Sequence, residues 1–264
     1  MKSYDFEFDG LNLSDFGYVI CSFDSNSLQT ISNGSQITFN TVPTLNGAKY
    51  ELTSTNYDDC LETTFQICKN PCGSDCIEMS TDELRTLSRW LNRKEFHKFK
   101  ILNDDYLGIY FEASFNISKI MMDGKLYGLE LECKTNRPFA LQEPKRVVLK
   151  NLVANGEKII KDYSDVEGYT YPEVEITINE SGDLSIYNEL EDRTTFIANC
   201  VAGDVIKMNY PIIETSVDTH EIQNDFNWVF FRIANTFKNS VNNLVISLPC
   251  TMEVKYSPNA KIGI

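Results

Sequence analysis

Half of the chain's eight cysteines fall in one short stretch, at Cys60, Cys68, Cys72 and Cys76. Cysteine thiolates are preferred ligands of structural zinc, which takes four ligands in a tetrahedral arrangement. The usual ligand pair has two intervening residues, whereas consecutive cysteines in CKNPCGSDC have three. Cys60 and Cys68 also flank an apparent strand, LETTFQI, which would hold them apart. The pattern therefore favours no metal, and zinc at these four cysteines stays as an alternative.

A disulfide is the second interpretation of the same stretch. The opening residues MKSYDFEFDG contain acidic groups and no apolar run, so the sequence predicts no secretory signal peptide and a reducing cytoplasm. A reversible disulfide formed outside the cell stays an alternative. We interpret CKNPCGSDC as a connector between a strand and a helix. The other cysteines lie among apolar residues and are expected to be small core residues: Cys21, Cys133, Cys200 and Cys250.

The two histidines do not form a recognisable catalytic motif. His97 follows a predicted helix and His220 lies in the polar stretch VDTHEIQND. The sequence contains no nucleophile elbow, HExxH, P-loop or GxGxxG pattern that would supply partners for them. Both histidines are expected to be surface or hydrogen-bonded structural residues, and we predict that the chain is not an enzyme.

The charge balance argues against a protein that binds nucleic acid tightly, and the distribution of apolar residues argues against one that spans a membrane. The net charge is −14, with 13 basic and 20 acidic residues before Pro138 and 11 basic and 18 acidic residues after it. Affinity for nucleic acid comes largely from neutralising phosphates, which neither part is built to do. The sequence also lacks an apolar run of about twenty residues, so no membrane insertion is expected.

One aromatic run allows two interpretations. NDFNWVFFRIAN places Phe226, Trp228, Phe230 and Phe231 within six residues. A sandwich core would direct these side chains inward, and this is the interpretation we favour. The alternative is a sugar-binding module in which Trp228 stands out of the sheet.

Alternation of polar and apolar residues predicts a mainly β, antiparallel protein. One helix is predicted at about 81–93, where Ser80 and Glu83 form a capping box and leucines recur at helical spacing. Two prolines in TNRPFALQEPKR predict a connector at 139–144. The sequence thus divides into an N-terminal β-domain at 1–138 and a β-sandwich at 145–251. A closing strand at 252–264 could return to the first domain.

Several segments resemble distal tail proteins, the baseplate-hub subunits of long-tailed phages (siphoviruses) of Gram-positive bacteria. The resemblance begins with YDFEFDGLNLSDFGYVI and continues through WLNRKEFHKFKI, YFEASFNISKI and LECKTNRPFAL. In the second half, DVEGYTYPEVEIT and GDLSIYNELEDRTTFIANCVAGDVI resemble strands of that family's galectin-like sandwich, and MEVKYSPNAKIGI resembles its closing strand. The cysteine-rich stretch does not match the family pattern.

The resemblance implies a structural protein of the virion tail tip, assembled in the cytoplasm of the bacterial host. The N-terminal domain would form a homo-hexameric ring, or two stacked rings, with the galectin-like domains outside. Implied partners are the tail tube protein, the tail-associated hub or lysin protein and receptor-binding proteins, with DNA only in transit through the channel. No cofactor is implied.

Overall fold

A computed structural model describes residues 3–23, 36–42, 51–57, 60–73 and 77–264. The chain divides into two compact units, residues 1–142 with 260–264 and residues 143–259. The first unit contains two 3-10 turns at Leu13–Phe16 and Asp104–Tyr106, and helix α1 at Thr81–Leu91. Its strands up to the second unit are β1 (Phe6–Phe8), β2 (Leu11–Asn12), β3 (Tyr18–Cys21), β4 (Ile37–Val42), β5 (Glu51–Tyr57), β6 (Glu62–Lys69), β7 (His97–Ile101), β8 (Ile109–Met122), β9 (Lys125–Thr135) and β10 (Ala140–Gln142).

The main sheet of the first unit has the order β2-β1-β7-β8-β9-β6-β3, with β10 paired to β8. Helix α1 begins as the sequence predicts. The Ser80 hydroxyl accepts from the Glu83 amide at 3.2 Å, and the Glu83 carboxylate accepts from the Ser80 amide at 2.7 Å. The helix ends at Leu91, two residues before the predicted end, because the Arg93 amide turns back to the Leu91 carbonyl.

Aromatic side chains fill the space between this sheet and α1. Phe6 has ring contacts with Phe65, Phe99 and Phe115, and it stacks on Trp90 with 5.7 Å between ring centroids. The Trp90 indole donates a hydrogen bond to the Phe8 carbonyl at 3.0 Å, which satisfies its polar edge inside the core. Trp90 was not part of the predicted leucine stripe.

The strands of the second unit are β11 (Lys145–Asn151), β12 (Gly156–Lys161), β13 (Gly168–Thr170), β14 (Glu173–Ile178), β15 (Gly182–Asn188), β16 (Arg193–Cys200), β17 (Val205–Asn209), β18 (Ile212–Thr215), β19 (Ile233–Asn235), β20 (Val241–Ile246) and β21 (Cys250–Tyr256). They form two antiparallel sheets, β11-β21-β14-β17-β18 and β12-β20-β15-β16, and a ribbon of β13 with β19. Inward-facing aliphatic residues of both sheets make a single core, as alternation predicts. A short helix, α2 (Ile222–Asp225), follows β18.

Two segments differ from the predicted connector and closing strand. Ala140 and Leu141, inside the predicted connector, are buried in β10 of the first unit. Strand β21 belongs to the second unit. Of the predicted closing segment, the part that pairs with the first unit is β22 (Asn259–Ala260), which lies beside β10. The Tyr106 hydroxyl donates to the Gly263 carbonyl at 2.9 Å, so the end of the described chain packs within the first unit.

Candidate assembly and binding surfaces

The cysteine-rich stretch includes strand β6: Cys60 precedes this strand, Cys68 lies near its end and Cys72 follows it. Cys68 lies beside Cys21 of the neighbouring strand β3, and burial together with this contact raises the pKa of the Cys21 thiol to about 12. The Cys60 thiol lies 3.8 Å from the Glu62 carboxylate. Cys72 is exposed in a turn, and Cys76 lies outside the described residues. Within the described ranges, no three His, Cys, Asp or Glu side chains are arranged to hold a metal ion.

The four scattered cysteines divide by burial. Cys133, Cys200 and Cys250 are buried, as expected of small core residues, whereas Cys21 is half-buried on β3 near the sheet edge. Burial raises the pKa of both the Cys200 and the Cys250 thiols to about 11. These thiols are therefore protonated at neutral pH, which makes them poor nucleophiles and poor metal ligands.

His220 is fully buried, and both of its ring nitrogens face oxygen acceptors. Nδ1 lies 2.8 Å from the Asp204 carboxylate, while Nε2 lies 3.1 Å from the Ala198 carbonyl and 3.6 Å from the Asp225 carboxylate. The imidazole ring is thus held between the Asp204 carboxylate and the Ala198 carbonyl. The Ser216 hydroxyl donates to Asp204 and not to His220, so Ser216 and His220 do not form a serine–histidine pair.

The β4–β5 hairpin is an amphipathic ribbon that pairs with no other strand in the described part of the chain. Its register places Ile37 opposite Tyr57 and Phe39 opposite Thr55, so these side chains share one face. That apolar face is open to solvent, with Ile37 46% and Phe39 62% exposed. Tyr57 contacts Phe139 at the base of the hairpin, with 4.7 Å between ring centroids.

The aromatic run in the second unit is only partly core. Phe226, Phe230 and Phe231 are buried, but Trp228 is 57% exposed, so the expectation that it packs inward is wrong. The Asn227 side chain explains this difference, because it accepts from the Phe196 and Val229 amides and donates to the Thr194 carbonyl. Held in this way beside β16, the chain takes a positive φ of 58° at Trp228 and the indole turns outward.

Trp228 stands at one end of a series of contacting rings that we call the aromatic ledge. Its members are Tyr169, Tyr171, Tyr210, Phe230, Phe226 and Trp228. Sequence reasoning selected the Trp228 end and missed the tyrosines. The available signal was that two of the tyrosines directly precede prolines, in GYTYP and NYP, where a strand end or a turn is expected.

Comparison with known families and structures identifies the chain. A family model described as "Phage tail protein N-terminal domain" matches residues 1–137, and one described as "Phage tail C-terminal domain" matches residues 139–256. The chain belongs to a family of phage tail proteins. It is therefore a component of the virion tail, which confirms the predicted location, and its fold is mainly β as predicted.

Among solved structures, this phage tail protein resembles the Dit protein of phage SPP1, described as a paradigm of hub adsorption apparatus in Gram-positive infecting phages. The TM-score is 0.66 at 12% sequence identity, over 97% of this chain and 99% of the SPP1 chain. At this identity the likeness establishes a shared fold, which confirms the resemblance to distal tail proteins at that level. Comparison with curated protein sequences gave no match. Among the described residues, no helix is long and apolar enough to cross a membrane.

Proposed function

We propose that this phage tail protein is a non-enzymatic tail-tip subunit that assembles as a closed ring of six copies around a channel. The ring would join the tail tube protein to the tail-associated hub or lysin protein, with DNA passing through it. Receptor-binding proteins would attach outside. The observation that carries the proposal is the combination of both phage tail domain matches with the Dit fold over nearly the whole chain.

The β4–β5 hairpin supplies a surface for self-association. A two-stranded hairpin alone is marginally stable in water and needs a third strand or a packed face. The apolar face of Ile37, Phe39 and Tyr57 remains exposed in the single chain. A ring requires two different complementary surfaces on each subunit, and an amphipathic ribbon that packs on the next copy meets that requirement.

The charge of the chain suits a channel through which DNA moves without sticking. Acidic residues outnumber basic residues by 38 to 24. We expect the lumen of the ring to be acidic, since like charge repels the phosphate backbone and opposes binding. A ring structure with a basic lumen would contradict this part of the proposal.

Native mass spectrometry of the purified full chain tests the ring. We expect a hexamer, or twelve copies in two stacked rings, at high concentration. Phe39→Asp is expected to convert the ring to monomers because it places a charge in an apolar contact. The matched control is Ile159→Asp, which alters an apolar residue of the second unit that is 63% exposed.

The result for the unmodified chain decides the proposal. A strict monomer at all concentrations, and also in the presence of the tube and hub proteins, would contradict the ring. If Phe39→Asp leaves a hexamer intact, the ring stands and its contact surface lies elsewhere than on the hairpin. Circular dichroism of both variants shows whether the fold is unchanged.

A further inference from the structure

The aromatic ledge of the second unit holds solvent-exposed rings in fixed orientations. Tyr169, Tyr210 and Trp228 are each more than half exposed, at 57%, 54% and 57%. Exposed aromatic side chains are usually scattered singly, whereas these three belong to one connected series of rings. Grouped exposed apolar surface is a feature of interaction and ligand-binding sites.

One half of the ledge is braced by a charged pair. The Arg232 guanidinium lies 3.8 Å from the Tyr169 ring centroid, and it is held by the Glu191 carboxylate at 2.6 Å. The hydrogen bond that Arg232 donates to Glu191 and a further one to Tyr171 raise the pKa of Arg232 above its ordinary value, although burial opposes this. Both charged side chains are largely covered, at 19% and 11% exposure. Arg232 therefore covers one face of the Tyr169 ring. Tyr171 also contacts this ring, with 5.6 Å between centroids, and Tyr169 still remains 57% exposed.

Tyr210 is braced in the same manner by neutral rings. Its ring stacks on Tyr171 at 4.2 Å between centroids with an interplanar angle of 9°. Phe230, which is buried, approaches it edge-on at 5.3 Å. One face of Tyr210 is thus covered by Tyr171, and its exposed surface keeps a fixed direction.

Trp228 completes the ledge at an energetic cost. A bulky residue with a positive φ is strained, and such strain persists where the surrounding structure imposes it, often at binding sites. Here the three hydrogen bonds of the Asn227 side chain impose it. The result is an indole held outward, with 5.7 Å between its ring centroid and that of Phe226.

We propose that the aromatic ledge is a binding site for a neutral saccharide. The apolar C–H faces of a pyranose ring pack on flat aromatic rings, and an amphipathic Tyr or Trp side chain offers both that face and a polar edge. Because the rings are already ordered, binding would cost little side-chain entropy. The proposal goes beyond ring assembly and does not depend on it.

The local charge distinguishes neutral from anionic ligands. The turn that carries Glu191 also carries Glu189 and Asp192, while the nearby cation Arg232 is already paired. Phosphate- or carboxylate-bearing polymers would meet repulsion here. A neutral oligosaccharide would not meet this repulsion. The ledge should therefore bind neutral saccharides better than anionic ones.

The two tryptophans of the chain provide a direct measurement. Trp90 is buried and hydrogen-bonded in the first unit, whereas Trp228 is exposed on the ledge. Purified full chain is titrated with N-acetylglucosamine, galactose, glucose and rhamnose oligomers, with a glycerol phosphate oligomer and with a proline decamer. Binding of a saccharide is expected to change the emission of Trp228, and isothermal titration calorimetry gives the affinity.

Substitutions on the ledge locate the site. Tyr210→Ala and Trp228→Ala are each expected to weaken saccharide binding about tenfold, since each removes one stacking surface. Tyr210→Phe keeps the ring and should retain most of the affinity. Phe237→Ala is the control, because Phe237 is 89% exposed and lies outside the ledge. All these side chains are exposed, so the variants should fold, which a thermal melt checks.

Each result of these titrations either supports or overturns the saccharide proposal. Neutral saccharide binding that is lost in the two alanine variants and kept in the control supports the proposal. The proposal is overturned if none of the neutral oligomers binds, if the glycerol phosphate oligomer or the proline decamer is the better ligand, or if the alanine variants bind normally. Native mass spectrometry of the same variants should show the oligomer of the unmodified chain, which separates this test from that of the ring.

Discussion

The two units solve the problem of core formation with different side chains. The buried core of the first unit is rich in aromatic residues, including Phe6, Phe8, Phe65, Trp90, Phe99, Phe111 and Phe115. The second unit is built mainly from isoleucine, valine, leucine and methionine, and three of its most exposed aromatic side chains belong to the ledge. Edge-to-face ring packing stiffens the first unit, while the second unit keeps aromatic surface available for contact.

Buried polar side chains show the opposite distribution. In the described part of the first unit they are Ser3 and Thr135, whereas the second unit buries Asn151, Asp162, Asn188, Thr195, Asp204, His220 and Asn242. Asn242, for example, accepts from the Ala234 amide and donates to the Ala234 carbonyl, both at 2.9 Å, and so ties β19 to β20. Buried hydrogen bonds therefore hold the loops that carry the ledge. In the first unit, packing of the aromatic core has the larger part in holding the elements together.

The largest expected effect comes from truncating the aromatic core. Phe6→Ala should lower the free energy of unfolding of the first unit by about 4 kcal/mol. The substitution removes a fully buried ring and leaves a cavity between the four rings that contact it. Guanidinium denaturation of the full chain in a Trp228→Phe background, followed by Trp90 fluorescence, reports on this unit alone. Tyr4→Ala, at a position that is 84% exposed in the same unit, is the control and should cost far less. Equal losses in both variants would contradict the role given to the aromatic core.

A somewhat smaller effect is expected from the polar core of the second unit. Asp204→Asn should destabilise that unit by about 3 kcal/mol, since it leaves the buried His220 without its anionic partner. Burial acts to raise the pKa of Asp204, but hydrogen bonds from Thr215, His220 and Ser216 outweigh it and lower the pKa below its ordinary value. The change is measured by denaturation with far-ultraviolet circular dichroism. Asp218→Asn, at an exposed position, is the matched control.

The contact between Asp204 and His220 also predicts how the stability of the second unit changes with pH. A carboxylate whose pKa is lowered on folding contributes stability above its ordinary pKa, and this is lost as the pH falls through the lowered value. The acidic side chains facing His220 are Asp204 and Asp225, and the substitution changes only Asp204. The stability difference between the unmodified chain and Asp204→Asn should therefore shrink as the pH falls below about 4. A difference that grows with acidification would refute this account.

Sequence patterns predicted features that depend on neighbours along the chain. The capping box at Ser80 and Glu83 and the alternating strands are local, and their chemistry can be read directly. Trp228 could not be placed correctly because its direction depends on Asn227 binding to strand β16, more than thirty residues earlier in sequence. The exposed face of β4–β5 was also missed, since alternation does not reveal whether a ribbon has a sheet to pack against. The tyrosines of the ledge come together only through the sandwich topology.

The helix cap gives a smaller and purely local effect within the packed first unit. Ser80→Ala removes the side-chain acceptor for the Glu83 amide and should cost about 1 kcal/mol. Ser80→Asp keeps an acceptor at the N-cap and should restore most of the stability. Trp90 lies near the end of the same helix, so its fluorescence follows the unfolding of this unit. An alanine variant as stable as the unmodified chain would show that packing of Leu87, Trp90 and Leu91 alone holds the helix.

The smallest effect is expected from metal removal. This test concerns the cysteine-rich stretch of the first unit, and a buried cysteine of the second unit serves as its control. Cys68 lies beside Cys21 and Cys60 beside Glu62, so these two cysteines of the alternative zinc site have separate neighbours. A zinc ion that held Cys60, Cys68, Cys72 and Cys76 would add stability that a chelator removes. We expect EDTA to leave the melting temperature unchanged, and metal analysis of freshly purified protein to give far less than one zinc per chain. Stoichiometric zinc with a chelator-dependent melt would instead make this stretch a structural metal site, and replacing Cys72 with serine should then abolish the dependence while Cys250→Ser should not.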